Sequence, residues 1–266
     1  MDVESSPLMQ KIDYSTRKKI DLVNNSILRY IVRAMLACLF LTLGTAVAVM
    51  IGDKVDHFAP GLGKITYAFM FSWSLVMIIY MNAELGTSNM MYMTIGVYQK
   101  IVKPGKALQI LLLCIVCNLL GGILAGYLVS LTSVFHNLPA DHFLFTAVSG
   151  KLEKAPLQIF VEGIFANIVV NTAVLCTLRM KDDAGKVIAM IFIIFIFAFL
   201  GFEHVIANFS SFSLAFFASG GTLAAMTAGN VTVNLVLALL GNFVGGGLVI
   251  GLGYAWLNRT KSIYKD

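Results

Sequence analysis

Two short segments set ionisable side chains among apolar residues. Residues 81–89 read MNAELGTSN and residues 201–208 read GFEHVIAN. In each, a glutamate stands five residues before an asparagine: Glu84 with Asn89, and Glu203 with Asn208. A charge at the centre of a spanning helix costs about 2.5–3.5 kcal/mol on insertion scales. Such groups persist where they face a cavity or where the backbone unwinds. Each glutamate is expected to accept hydrogen bonds from freed backbone N–H groups and so brace a break. Next to Glu203 lies His204, the one histidine of four inside an apolar stretch. Imidazole exchanges a proton near neutral pH, which suits a lining role on a path for a weak acid.

The elements that must position these residues are membrane spans. The chain has 266 residues, 58% hydrophobic and 12% charged, with a mean hydropathy of +0.84. Soluble domains carry roughly 25% charged residues, and about 20 consecutive apolar residues cross a bilayer core. Six spans are read: 28–51, the stretch from 65 to about 98 interrupted by Asn82 to Asn89, 107–134, 157–178, a fifth from 187 that breaks between Gly201 and Asn208, and 231–257. The first is too long for a signal-peptide core and reads as a retained span. Residues 1–27 read as an amphipathic segment on the cytoplasmic surface, with a disordered tail as the alternative. Residues 28–257 read as the channel domain and 258–266 as a cytoplasmic tail.

Fifteen of the 19 lysines and arginines fall on the side of the N-terminus, leaving Lys54, Lys64, Lys151 and Lys154 on the other. By the positive-inside rule both termini are cytoplasmic, in agreement with an even span number. The net charge of +5 therefore reports topology and implies no nucleic-acid partner. Each broken span is the middle one of three, so the two halves are inverted repeats. Paired interrupted helices in inverted halves point to a binding site at the membrane midplane.

Other chemistry is poorly supported. Cys114 and Cys117 have CxxC spacing but sit mid-span, where thiols pack as small apolar groups. His136 and His142 lack the further ligands a zinc site needs. No nucleophile stands beside a base in a catalytic arrangement, so neither an enzyme nor a cofactor is implied. The glycine runs at 121–122, 220–221 and 245–247 let helices approach closely.

These residues resemble the formate/nitrite transporters. GFEHVIAN is similar to that family's fifth-helix signature and NAELGTSN (82–89) to its second-helix Ω-loop. EGIFANIVVN (162–171) and GNFVGGG (241–247) resemble its fourth- and sixth-helix motifs, so the likeness spans residues 28 to 257. The resemblance implies an all-α, aquaporin-like protomer of six helices, the second and fifth broken, in a homopentamer with one pore per subunit. It places the pathway on His204, Thr87, Lys151, Asn167, Asn242, Glu203 and Glu84, with Lys154 near enough to serve as the vestibule lysine instead. It places apolar constrictions on Phe71, Leu75, Leu85, Val170 and Phe197. Gly86 stands where formate-type members carry a phenylalanine, which implies a wider inner constriction or a looser loop. Glu162 and Asn171 are unusual for a fourth helix.

The expected function is pH-dependent passage, with or without proton coupling, of a small monovalent anion or its conjugate acid across the cell membrane. Formate leads, followed by nitrite, hydrosulfide, acetate and lactate. The rival is an aquaporin-like channel for neutral solutes, but none of the five prolines follows an asparagine, so the Asn-Pro-Ala loops of that class are missing.

Overall fold

The computed structural model describes residues 6–259. Within them every regular element is a helix, and six helices are long and apolar enough to cross a membrane. Lys261 and Lys265, counted above in the tail, lie outside the described residues.

Helix α1 (Pro7–Asn25) starts at Ser6, whose hydroxyl accepts the Met9 N–H, with proline at the first turn where its missing N–H costs nothing. Leu8, Met9, Ile12 and Val23 are buried against the bundle, and α1 packs on the first and fourth spans and on α5. The first span is α2 (Ile27–Phe58). The second is α3 (Gly63–Phe71) with α4 (Trp73–Tyr80); the chain then unwinds through 81–85 and resumes as α5 (Gly86–Tyr98). The third span is α6 (Pro104–Ser130). The loop expected between spans three and four holds a further helix, α7 (Phe143–Leu152), too short to read as a span. The fourth span is α8 (Pro156–Arg179). The fifth is α9 (Asp183–Leu200), which Asp182 caps at its start and Gly201 ends in the left-handed conformation (φ 73°). After three intervening residues the chain restarts as α10 (Val205–Ala218). The sixth span is α11 (Ala228–Asn242), a π-helical stretch over Phe243–Leu252, and α12 (Gly253–Leu257).

The second and fifth helices are thus both broken, as the charge pattern requires. The halves also pack alike. The first and third spans lie against one another, as do the fourth and sixth, and each half-helix after a break (α5, α10) packs on the span that ends the opposite or same half. The glycine run of span six shows why close approach matters. A Cβ on Gly245 would stand 2.0 Å from the Ile164 carbonyl, and one on Gly246 would stand 2.0 Å from Asn167 Nδ2. A side chain on Gly245 would force spans four and six apart, and one on Gly246 would displace the Asn167 amide.

Candidate functional site

The two breaks are held by the same device. At the first, Asn118 of span three donates from Nδ2 to the carbonyls of Ala34 (2.7 Å) and Glu84 (2.9 Å), while its Oδ1 accepts the Gly86 N–H at 2.8 Å. At the second, Asn242 of span six donates to the carbonyls of Gly163 (2.7 Å) and Glu203 (2.9 Å) and accepts the Val205 N–H at 2.8 Å. A break frees both carbonyls and N–H groups, and a carboxamide answers both because it carries donor and acceptor. The expectation that the glutamates would brace the freed backbone N–H groups is therefore corrected. An ionised carboxylate only accepts, and both are occupied by side chains.

Glu84 Oε2 accepts Lys19 Nζ at 2.6 Å and Asn89 Nδ2 at 3.1 Å. Glu203 Oε1 accepts Lys151 at 3.1 Å and Lys154 at 2.7 Å, and its Oε2 accepts Asn208 at 2.7 Å and Asn234 at 3.2 Å. Both glutamates are buried, Glu203 completely. Lys151 and Lys154 both reach the same oxygen. Burial lowers the pKa of Lys151, which sits on α7 outside the six spans, and Glu203 pulls it the other way.

Between the breaks lies a narrow waist. Thr87 Oγ1 and His204 Nε2 are 2.8 Å apart. His204 also caps α10, its Nδ1 accepting the Ala207 N–H at 3.1 Å. That bond needs the Nδ1 lone pair, so the ring proton belongs on Nε2 and is donated to Thr87 Oγ1. The Thr87 carbonyl accepts Asn167 Nδ2 at 3.1 Å, and Asn167 also reaches the Asn242 carbonyl at 2.8 Å. Asn171 leans on Asn167.

The structure brings all five expected apolar residues to this place. Phe71, Leu75, Leu85, Val170 and Phe197 line, with His204, a small cavity of about 20 Å³. That volume holds about one water molecule. Leu41, Ser74, Ile78, Ile194 and Ala207 complete the lining; in the sequence nothing marks them apart from any other small or aliphatic residue in a span. Phe71 and Phe197 meet edge to face at 5.7 Å and also border a cavity of about 420 Å³ on the α7 side. That larger cavity holds Lys64, Lys151, Lys154 and Glu162. Leu85 and Ile78 border a cavity of about 170 Å³ on the α1 side, which holds Lys18, Lys19 and Glu84. The series runs basic vestibule, aromatic collar, imidazole, aliphatic collar, basic vestibule.

Gly86 borders neither the waist nor the inner cavity. A Cβ there would stand 3.0 Å from Asn118 Oδ1 and 3.1 Å from Ile115 Cγ1. The expectation that this glycine widens the constriction is corrected, because its missing side chain faces span three and lets the loop dock on Asn118. Asn118 itself was missed. Its signal is the spacing N-x-x-G-G, read at Asn118–Gly122 and again at Asn242–Gly246.

The model of a family described as formate/nitrite transporter matches residues 6–256. The Nitrite transporter NirC of Escherichia coli (strain K12) is 29% identical over 239 residues, which cover 90% of this chain and 86% of that protein. A solved FNT family ion channel superposes with a TM-score of 0.87 at 24% identity, covering 94% of this chain and 98% of its own. A second structure, a pentameric formate channel with formate bound, superposes with a TM-score of 0.72 at 24% identity, covering 86% of this chain and 96% of its own. The chain is a multi-pass membrane transport protein rather than an enzyme, and it belongs to the formate/nitrite transporter family.

Proposed function

We propose that each subunit passes a small monovalent anion, formate foremost, or its conjugate weak acid through the path that joins the two vestibules at His204. The observation that carries this reading is the waist itself, a cavity of about 20 Å³ where apolar collars meet the His204 imidazole, which Thr87 holds from behind. A bare anion loses its hydration there, which is costly without replacement partners. A neutral acid crosses more cheaply, and His204 with Thr87 offers it hydrogen bonds midway. Lys151 concentrates the anion at the α7-side mouth and favours its protonation on entry, which makes passage pH-dependent and couples it to protons. Asn167 and Asn242 hold the backbone that frames the path, and Glu84 and Glu203 anchor the lysines and asparagines beside it. Phe71, Leu75, Leu85, Val170 and Phe197 exclude water and hydrated ions.

In this reading residues 28–257 form the channel domain in the cell membrane. Residues 1–27 and 258–266 are cytoplasmic, and five copies assemble with one path each. The name of the formate-bound structural neighbour and the nitrite specificity in the name of its bacterial relative support this substrate class. The test is uptake into proteoliposomes from pH 5 to 8, with formate, nitrite, hydrosulfide, acetate and lactate in competition. One monovalent anion should dominate, with faster uptake at acidic pH and loss of that advantage in Lys151→Ala. Swelling in glycerol or urea without anion or pH dependence would overturn the reading in favour of a neutral-solute channel.

A further inference from the structure

The two vestibules differ in how their charges are paired. On the α1 side, Glu84 takes one lysine, Lys19. On the α7 side, Glu203 takes two, and a second carboxylate joins the cluster: Glu162 Oε2 lies 2.5 Å from Lys154 Nζ. An ammonium has three N–H groups. Those of Lys154 are matched by Glu162, by Glu203 and by the Gly201 carbonyl at 2.7 Å. Lys151 meets Glu203 and the Phe202 carbonyl at 3.2 Å, which leaves one N–H for the cavity it lines. Lys64 sits at the exposed rim of that cavity, its ammonium over the Phe199 ring, where water and salt screen it.

Two ammonium groups and two carboxylates make the cluster neutral. Glu162 lines the cavity from span four, one residue before the Gly163 whose carbonyl Asn242 holds. Without its charge the cluster would carry one net positive charge in a half-buried pocket. Attraction scales with the product of the charges, so an added cation favours a dianion twice as much as a monoanion. A conducting site must also bind weakly enough to release its solute.

We propose that Glu162 is a specificity-determining residue of this vestibule: by occupying Lys154 it leaves Lys151 as the ammonium offered to an entering solute, so the mouth holds monovalent anions loosely and does not retain dianions. This rests on the anion-passage reading given above. Glu162 acts through Lys154 and does not itself bind the solute.

The experiment is formate uptake into proteoliposomes at pH 7, with oxalate as the dianion probe. Glu162→Gln should lower the KM for formate about fivefold, by the Coulomb term of one unbalanced charge near a second. It should also make oxalate an inhibitor at concentrations where the parent protein ignores it, and steepen the dependence on ionic strength. Glu162→Asp, which keeps the charge, should behave as the parent. Lys154→Gln alone leaves a carboxylate in excess and should raise the KM. Glu162→Gln combined with Lys154→Gln should return both KM and oxalate sensitivity to parental values. A Glu162→Gln protein with parental KM and oxalate response overturns the proposal, as does a double variant that keeps the single variant's phenotype. If Glu162→Gln yields no folded protein, an unchanged KM in Lys154→Gln overturns it instead. A parent protein that moves none of the monovalent anions sinks the transport reading and this proposal together. A transporting parent with unresponsive variants sinks this proposal alone.

Discussion

Asn118 and Asn242 stand in equivalent places in the two halves, and each makes the same three hydrogen bonds to the backbone around a helix break. Both are fully buried. The inverted repeat is thus built into individual atoms and not only into span order. It also explains why the breaks can exist in the apolar layer, where an unmet backbone group is costly.

From this follows a stability prediction. Asn118→Leu keeps much of the volume but leaves the Gly86 N–H and the Glu84 region without their amide partner. At about 1–3 kcal/mol for each of the two buried groups left unmet, the loss is on the order of 2–6 kcal/mol. Thermal unfolding of the detergent-solubilised protein should show a clear fall in Tm, matched in kind by Asn242→Leu. A Tm equal to the parent's in both variants would mean that the breaks are held by something else.

The pair at the waist makes a prediction about rate. Thr87→Val removes the hydroxyl that faces His204 Nε2 at 2.8 Å. If the solute relies on one hydrogen bond there, worth about 0.5–1.5 kcal/mol net, uptake should fall about three- to tenfold. Thr87→Ser should restore most of it. His204→Phe removes the imidazole and the α10 cap together and should be more severe, with altered selectivity among the five anions. Unchanged uptake and selectivity in His204→Phe would remove the histidine from the path.

Much of this was legible beforehand, and the reasons are physical. A glutamate in an apolar span is expensive, so Glu84 and Glu203 announce the breaks unaided. The five collar residues could be picked out only through family likeness, since a phenylalanine in a span otherwise reads as packing. Asn118 was overlooked because a single amide in a leucine-rich helix carries little cost by itself; its meaning lies in a repeat with Asn242 that is offset by half the chain. The direction of Gly86 was not legible at all. The side to which an absent side chain would point depends on the docking of the loop, which spacing does not encode.

That direction is itself testable. Restoring an aromatic by Gly86→Phe should not narrow a working pore. It should clash with Asn118 Oδ1 and Ile115 Cγ1, 3.0 and 3.1 Å from the first added carbon. Overpacking of this kind costs about 1–3 kcal/mol, so even Gly86→Ala should lower Tm, and Gly86→Phe should reduce the yield of folded protein. A stable Gly86→Phe protein with slower uptake would instead put the ring in the path.

The last prediction concerns acid. His142 caps α7, its Nδ1 accepting the Leu144 N–H at 3.1 Å, while Asp53 Oδ1 at the end of span one accepts the Phe143 N–H at 2.9 Å. The ring is buried, and its Nε2 lies 3.8 Å from Asp53 Oδ2, with no described hydrogen-bond partner. Burial lowers the pKa of His142; Asp53 and Asp141 oppose the fall and His57 adds to it. The unfolded chain therefore binds this proton at a higher pH than the folded one. Below the ordinary histidine value of about 6.5 the unfolded state gains protons first, and stability falls with pH until the folded ring also titrates. Tm measured from pH 7.5 to 5 should drop more steeply in the parent than in His142→Asn, which keeps a capping side chain but cannot titrate. Parallel slopes would clear His142 of this role. Because Lys151 stands in the last turn of α7, any loosening of its anchored end would be felt at the vestibule before it reached the waist.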